Sequence, residues 1–145
     1  MSERSNVLNK TISTGVLIVG KTARKISITL SSAALDDGNT PTSTVRMGMP
    51  LGRITASGEF KENDATVGDG SETFVGILGE DVDLIDSEEN AVSDKQTYMY
   101  VSGDLNEDFV SNVADANFSL ANAKSAVTGL HWQTPEALYF PGAGS

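Results

Sequence analysis

The chain has 145 residues, enough for one domain with its own hydrophobic core. It has no cysteine and one histidine, His131, which excludes a disulfide framework, thiolate metal sites, a cysteine nucleophile and a multi-histidine metal centre. Net charge is −10 and unevenly spread: residues 1–25 hold five bases (Arg4, Lys10, Lys21, Arg24, Lys25) against Glu3, while the other five bases face nineteen acids. Such an acidic body repels nucleic acid, and a mildly basic start on it suits an arm that reaches another protein. The longest aliphatic run, Val16 to Val19, is too short to cross a bilayer, and MSERSNVLNK lacks an apolar signal core. A soluble protein made in the cytoplasm, with no membrane partner, is the expectation.

In chain order, Thr14 to Val19 reads as a buried or pairing strand. Residues 24–30 then place Ile26, Ile28 and Leu30 on one face and Ser27 and Thr29 on the other. Ser31 to Thr44 has loop composition. Val45, Met47, Met49 and Leu51 alternate, and Pro50 suggests an edge or a bulge. Ser57-Gly58 predicts a tight turn into Glu59-Phe60-Lys61, as in a hairpin. Val67 to Ser71 predicts another turn, with Asp69 and Gly70 at its centre, before a core strand from Thr73 to Leu78 that contains Gly76. Residues 80–94 are acidic and loop-like. Gln96 to Ser102 alternates again, with Tyr98 and Tyr100 on one face. One helix is predicted from an Asp115 N-cap to Thr128, ended by Gly129, and Leu130-His131-Trp132 returns as a last strand.

Motifs that suggest chemistry fail on their surroundings. Gly15 to Thr22 matches G-x-x-x-x-G-K-T letter for letter, but its middle residues, Val16 to Val19, favour a strand, and ARKISITL after it is no helix. Glu80, Asp81, Asp83, Asp86, Glu88 and Glu89 supply oxygen ligands without EF-hand spacing, so a solvated loop is expected. Nothing in their spacing marks two of these carboxylates as an acid and base pair in a cleft. His131-Trp132 reads as part of a packed terminal strand. Asn9-Lys10-Thr11 and Asn117-Phe118-Ser119 match glycosylation acceptors without a secretion signal. No catalytic residue, cofactor or metal ligand is assigned.

The middle of the chain carries a resemblance. Met49-Pro50-Leu51-Gly52-Arg53-Ile54-Thr55-Ala56-Ser57-Gly58-Glu59-Phe60 is followed by Gly68-Asp69-Gly70-Ser71-Glu72-Thr73-Phe74-Val75-Gly76-Ile77-Leu78. Glu80-Asp81-Val82-Asp83 and Val101-Ser102-Gly103-Asp104-Leu105-Asn106-Glu107 come next. This order, over about residues 45–110, resembles the lambda-like phage head decoration family. The resemblance implies a mainly β fold, a small β-barrel-like (β-tulip) body with one short helix, assembly as a homotrimer, and binding to the major capsid protein at three-fold and quasi-three-fold sites on the outside of the virion. It also implies an extended N-terminal arm, here residues 1–20 before a decoration domain of residues 21–145.

Within and next to that arm, Val7, Leu8, Thr11, Ile12, Val16 and Leu17 are the expected capsid contacts, because extended apolar residues can pair with an exposed strand. Gly58, Asp69, Gly70 and Gly76 are expected to be structural. Residues 1–45 are longer and more strand-like than the family pattern, so part of this front can belong to the body. The competing readings are an acidic β-sandwich module for glycans or calcium, a P-loop enzyme, and a tail-tube subunit.

Overall fold

Two long strands organise the molecule, β1 (Leu17–Leu30) and β9 (Lys95–Asn106). The computed structural model describes residues 17–86 and 91–133, residues 17–22 and 86 by backbone alone. From Lys25↔Tyr100 to Leu30↔Lys95 the two strands run antiparallel in continuous register. The period of two turns Ile28, Leu30, Thr97 and Met99 inward, where all are buried, and Lys25, Ser27, Gln96 and Tyr98 outward.

Three shorter strands complete the sheet: β3 (Pro50–Arg53), β4 (Phe60–Glu62) and β5 (Phe74–Leu78). β4 pairs with β3, β3 with β5, and β5 with β9, all antiparallel. The parallel pair Leu30↔Phe60 joins β4 back to β1 and closes a five-stranded barrel. On β5, Phe74 and Gly76 face the consecutive residues Gly52 and Leu51, so Val75 is an extra residue, a β-bulge. The bulge shifts the alternation, so Phe74 and Ile77 pack on one side while Leu78 turns to the other.

The barrel interior is filled from all five strands by Ile28, Leu30, Leu51, Phe60, Leu78 and Met99. Full burial of each leucine here stabilises the fold by roughly 1.5–3 kcal/mol. Ala34, Val45 and Leu84 come from outside the ring and plug it. Short pairs hold these connections: β2 (Thr44–Val45) with β6 (Val82–Asp83), and β7 (Ile85–Asp86) with β8 (Ala91–Val92). A second core lies over the outer side of β5 and β9. There Phe74, Ile77 and Leu105 meet Val110 of α1 (Glu107–Val113), Ala123 of α2 (Leu120–Ala126) and Leu130 of β10 (Leu130–Gln133). β10 adds to β9 in parallel.

The mainly β barrel agrees with the expected fold class, with differences in detail. The strands expected at 14–19 and 24–30 are one strand over the described residues. The alternation from Val45 to Leu51 is not one strand: Gly48, at φ +98°, breaks it between β2 and β3. Pro50 opens β3, a position that needs no N–H from it. Among the described residues, two short helices replace the one expected. Asn106 caps α1, its Oδ1 accepting from the Asp108 and Phe109 amides at 3.1 and 3.2 Å. Ser119 caps α2, while the Asp115 carboxylate accepts from the Asn117 amide and holds a turn before the helix.

Candidate interaction surface

The described chain begins on β1, and its first pairs, Leu17↔Leu105 and Val19↔Asp104, place the root of the arm beside the end of β9. Between Val19 and Arg24 the strand advances five residues while β9 moves two, from Asp104 to Ser102. The surplus bulges out of the ladder. On its other edge β1 pairs only at Leu30↔Phe60 among the described residues. Among the described residues, the alternate N–H and C=O groups of β1 that point away from β9, up to Thr29, therefore have no strand partner and form an edge that another extended strand can join. Of the expected contact residues, Leu17 lies at this root; Val7, Leu8, Thr11, Ile12 and Val16 lie outside the described residues.

Beside that edge, the outer face of the β1–β9 ribbon is polar and aromatic. Gln96 Nε2 donates to Thr29 Oγ1 at 2.7 Å, and Lys25 Nζ stands 4.7 Å from the centre of the Tyr98 ring. Tyr98 and Tyr100 meet edge to face at 5.7 Å, and the Tyr98 hydroxyl donates to the Gly79 carbonyl at 3.0 Å. Burial, and then the neighbouring Tyr100, push the Tyr98 hydroxyl above the ordinary tyrosine range. A shallow concavity of about 420 Å³ lies along Lys25, Ser27, Gln96 and Tyr98. The paired tyrosines of the sequence thus share a surface, braced against their own strand.

Of the residues singled out as chemically suggestive, those with described side chains are occupied by the fold; Glu88 and Glu89 lie outside the described residues, and Asp86 is described by backbone alone. Leu17 to Thr22 of the phosphate-loop match run within β1, which continues to Leu30, so no loop opens onto a helix there. Glu80 Oε2 accepts from Thr97 Oγ1 at 2.7 Å, Asp81 Oδ1 from the Met47 amide at 2.6 Å, and Asp83 Oδ1 from the Ile85 amide at 3.0 Å. Among the described residues no three acidic or histidine side chains gather as a metal cluster. Glu59 and Asp94 do share a hydrogen bond; it holds the Glu59 carboxyl above the ordinary carboxylate range and the Asp94 carboxyl below it. Asp94 is exposed and Glu59 only half-buried, which gives the pair little of the desolvation an acid–base site requires.

A cavity of about 220 Å³ lies between β5 and α2. Two of the polar side chains around it are engaged: Asn63 Nδ2 donates to the Ser71 carbonyl at 2.8 Å, and Ser119 caps the helix. His131 is exposed on β10, and Trp132 packs against Phe74 with ring centres 6.2 Å apart.

The expected turn residues sit as follows. Gly58 has φ +80° and leads into β4. The Asp69 carboxylate accepts from the Ser71 amide and hydroxyl. Gly70 has φ +107°, a region that only glycine enters without strain. A Cβ on Gly76 would stand 2.8 Å from the Tyr100 carbonyl oxygen, so β5 and β9 come this close only at glycine. Sequence reasoning missed the pair Asp36–Arg46, which folds the 31–46 connection onto the barrel. Asp36 and Arg46 have ordinary loop neighbours, so no periodicity marked them.

A comparison with curated proteins finds no match. The family model described as bacteriophage lambda head decoration protein D matches residues 10–131. That span includes β1, the whole barrel, both helices and the start of β10. It is a family of structural phage head proteins and not an enzyme class. With most of its length matched and a β-barrel built from the matched residues, the chain belongs to the bacteriophage lambda head decoration protein D family, and its role is structural and capsid-associated.

Proposed function

We propose that the protein binds the outer surface of a mature phage capsid as a homotrimer, at three-fold and quasi-three-fold sites, and cements neighbouring capsomers through contacts with the major capsid protein. The family match over residues 10–131 carries this reading. A trimer that touches several capsid subunits converts weak single contacts into firm attachment, since each contact raises the effective concentration of the next. The charge division between the first 25 residues and the acidic body suits an arm that leaves its own body for a neighbour. The open edge of β1 offers main-chain hydrogen bonds beside the arm's root. No chemical step enters the role.

The test is cryo-microscopy of mature capsids that lack decoration, mixed with the purified protein. Trimeric density at the three-fold and quasi-three-fold positions is expected. Particles that stay bare, or that carry the protein elsewhere or as monomers, overturn the reading.

A further inference from the structure

Asp37-Gly38 and Asp69-Gly70 are the two aspartate–glycine steps of the chain, and the fold puts them in opposite situations. An aspartate before glycine is prone to rearrange, because no Cβ shields the glycine nitrogen from the preceding side-chain carboxyl. At Asp69 both reacting groups are engaged. Its Oδ1 accepts from the Ser71 amide at 3.0 Å and from Ser71 Oγ at 2.5 Å, while the Gly70 amide donates to Glu72 Oε2 at 2.8 Å. The same Ser71 groups hold the Asp69 carboxyl below the ordinary range, so the acid form that loses water is scarce.

At Asp37 neither group is engaged. Both residues are exposed, and among the described residues the Asp37 carboxyl and the Gly38 amide have no hydrogen-bond partner. They are the central pair of a turn closed by the Asn39 amide on the Asp36 carbonyl at 3.0 Å. Arg46 Nη2, fixed by Asp36, stands 3.0 Å from where a Gly38 Cβ would be. That places the Asp36–Arg46 ion pair beside Gly38, with Asp36 Oδ1 at 3.9 Å from the same point, and leaves the Gly38 nitrogen uncovered.

We propose that Asp37 is a site of spontaneous isoaspartate formation and that Asp69 is protected from it by its hydrogen bonds. The Gly38 nitrogen attacks Cγ of Asp37 in its acid form. The N–Cγ bond forms, and the amide proton and the carboxyl hydroxyl leave as one water, closing a five-membered imide. Water then adds at the main-chain carbonyl of Asp37 and breaks its bond to the Gly38 nitrogen. The chain now runs through Cγ, the old carbonyl has become a free carboxylate, and the mass is unchanged. No co-reactant or electron transfer is needed. The product has an extra main-chain carbon inside the Asp36–Asn39 turn, so the bond that closes the turn is lost, next to the Asp36–Arg46 pair.

The experiment holds the full chain in warm, near-neutral buffer, with a parallel sample unfolded in urea, and maps both aspartates by electron-transfer fragmentation, which distinguishes the isomers. In the native protein the isomer accumulates at position 37 and not at 69. In urea position 69 reacts as well, because its protection came from the fold. Gly38→Ala, whose added methyl meets Arg46 Nη2 at 3.0 Å and Asp36 Oδ1 at 3.9 Å but no backbone, slows the change at 37. Native Asp37 that stays intact, or native Asp69 that keeps pace with it, overturns the proposal.

Discussion

Arg46 and Asp36 form a two-point pair ten residues apart, Nε to Oδ2 at 2.8 Å and Nη2 to Oδ1 at 2.9 Å. The Arg46 amide adds a third bond to Oδ2 at 3.1 Å. The Asp36 side chain has no exposed surface, whereas 32% of the Arg46 side chain reaches water. Arg46→Met leaves the buried carboxylate without its cation. The expected loss is about 3 kcal/mol, at the low end for breaking a buried pair because the guanidinium is partly solvated. Urea denaturation of the variant beside the parent measures it, and an unchanged midpoint would show that the clamp contributes nothing.

Glu62 makes stability depend on pH. Its side chain lies in β4, where the residue is 6% exposed, and accepts from the Leu35 amide at 3.0 Å. Burial outweighs that bond and raises its carboxyl above the ordinary range. A raised acid favours folding when neutral. Its contribution is therefore fully present below the ordinary carboxylate value and is lost as pH rises through the folded value. Glu62→Gln keeps an acceptor for Leu35 and removes the charge. It is expected to melt higher than the parent at neutral pH and to lose that advantage in acid. A variant that melts lower at neutral pH would refute this account.

At Gly76, β5 and β9 approach each other closely. A methyl there would meet Met99 Sδ and the Tyr100 carbonyl, each at 2.8 Å. Methionine can move, but the carbonyl belongs to the ladder. Gly76→Ala is expected to cost about 1–3 kcal/mol, the usual range for overpacking a filled site. Thermal melting reads it directly.

Truncations separate the arm from the barrel. Removing residues 1–16 keeps the described strand Leu17–Leu30, so melting is expected to stay near that of the full chain while occupancy on undecorated capsids falls. Removing residues 1–22 also deletes the Leu17↔Leu105 and Val19↔Asp104 pairs. At about 0.5–1.5 kcal/mol for each lost ladder bond, melting is then expected to fall as well. Full occupancy by the shorter truncation would take the arm out of the proposed mechanism.

The strands were legible wherever alternation ran unbroken, as in residues 24–30 and 96–102. What alternation cannot carry is partner choice: neither segment indicates that each pairs with the other across about 70 residues of chain. α1 hid in its shortness, because EDFVSNV spans too few turns to display a period. Its start was nonetheless written in Asn106, Glu107 and Asp108, a capping residue followed by acids in the first turn. Asp115 and Ser119 are both residues that cap helices, and only packing of Ala123 into the outer core selects the second. The barrel came from the resemblance and not from periodicity. The clamp at Asp36 and the burial of Glu62 came from neither, since both depend on where a loop lands.

The ladder between β1 and β9 also has a mechanical consequence. A tether pulled at Leu17 along the strand loads the β1–β9 hydrogen bonds in shear, so the load is spread over the whole row. A pull across the strand peels the same bonds one after another and needs far less force. The irregular stretch between Val19 and Arg24 holds spare length, and it extends before the regular row from Lys25 to Leu30 takes the strain. The fold thus resists a load applied along β1 far better than one applied across it.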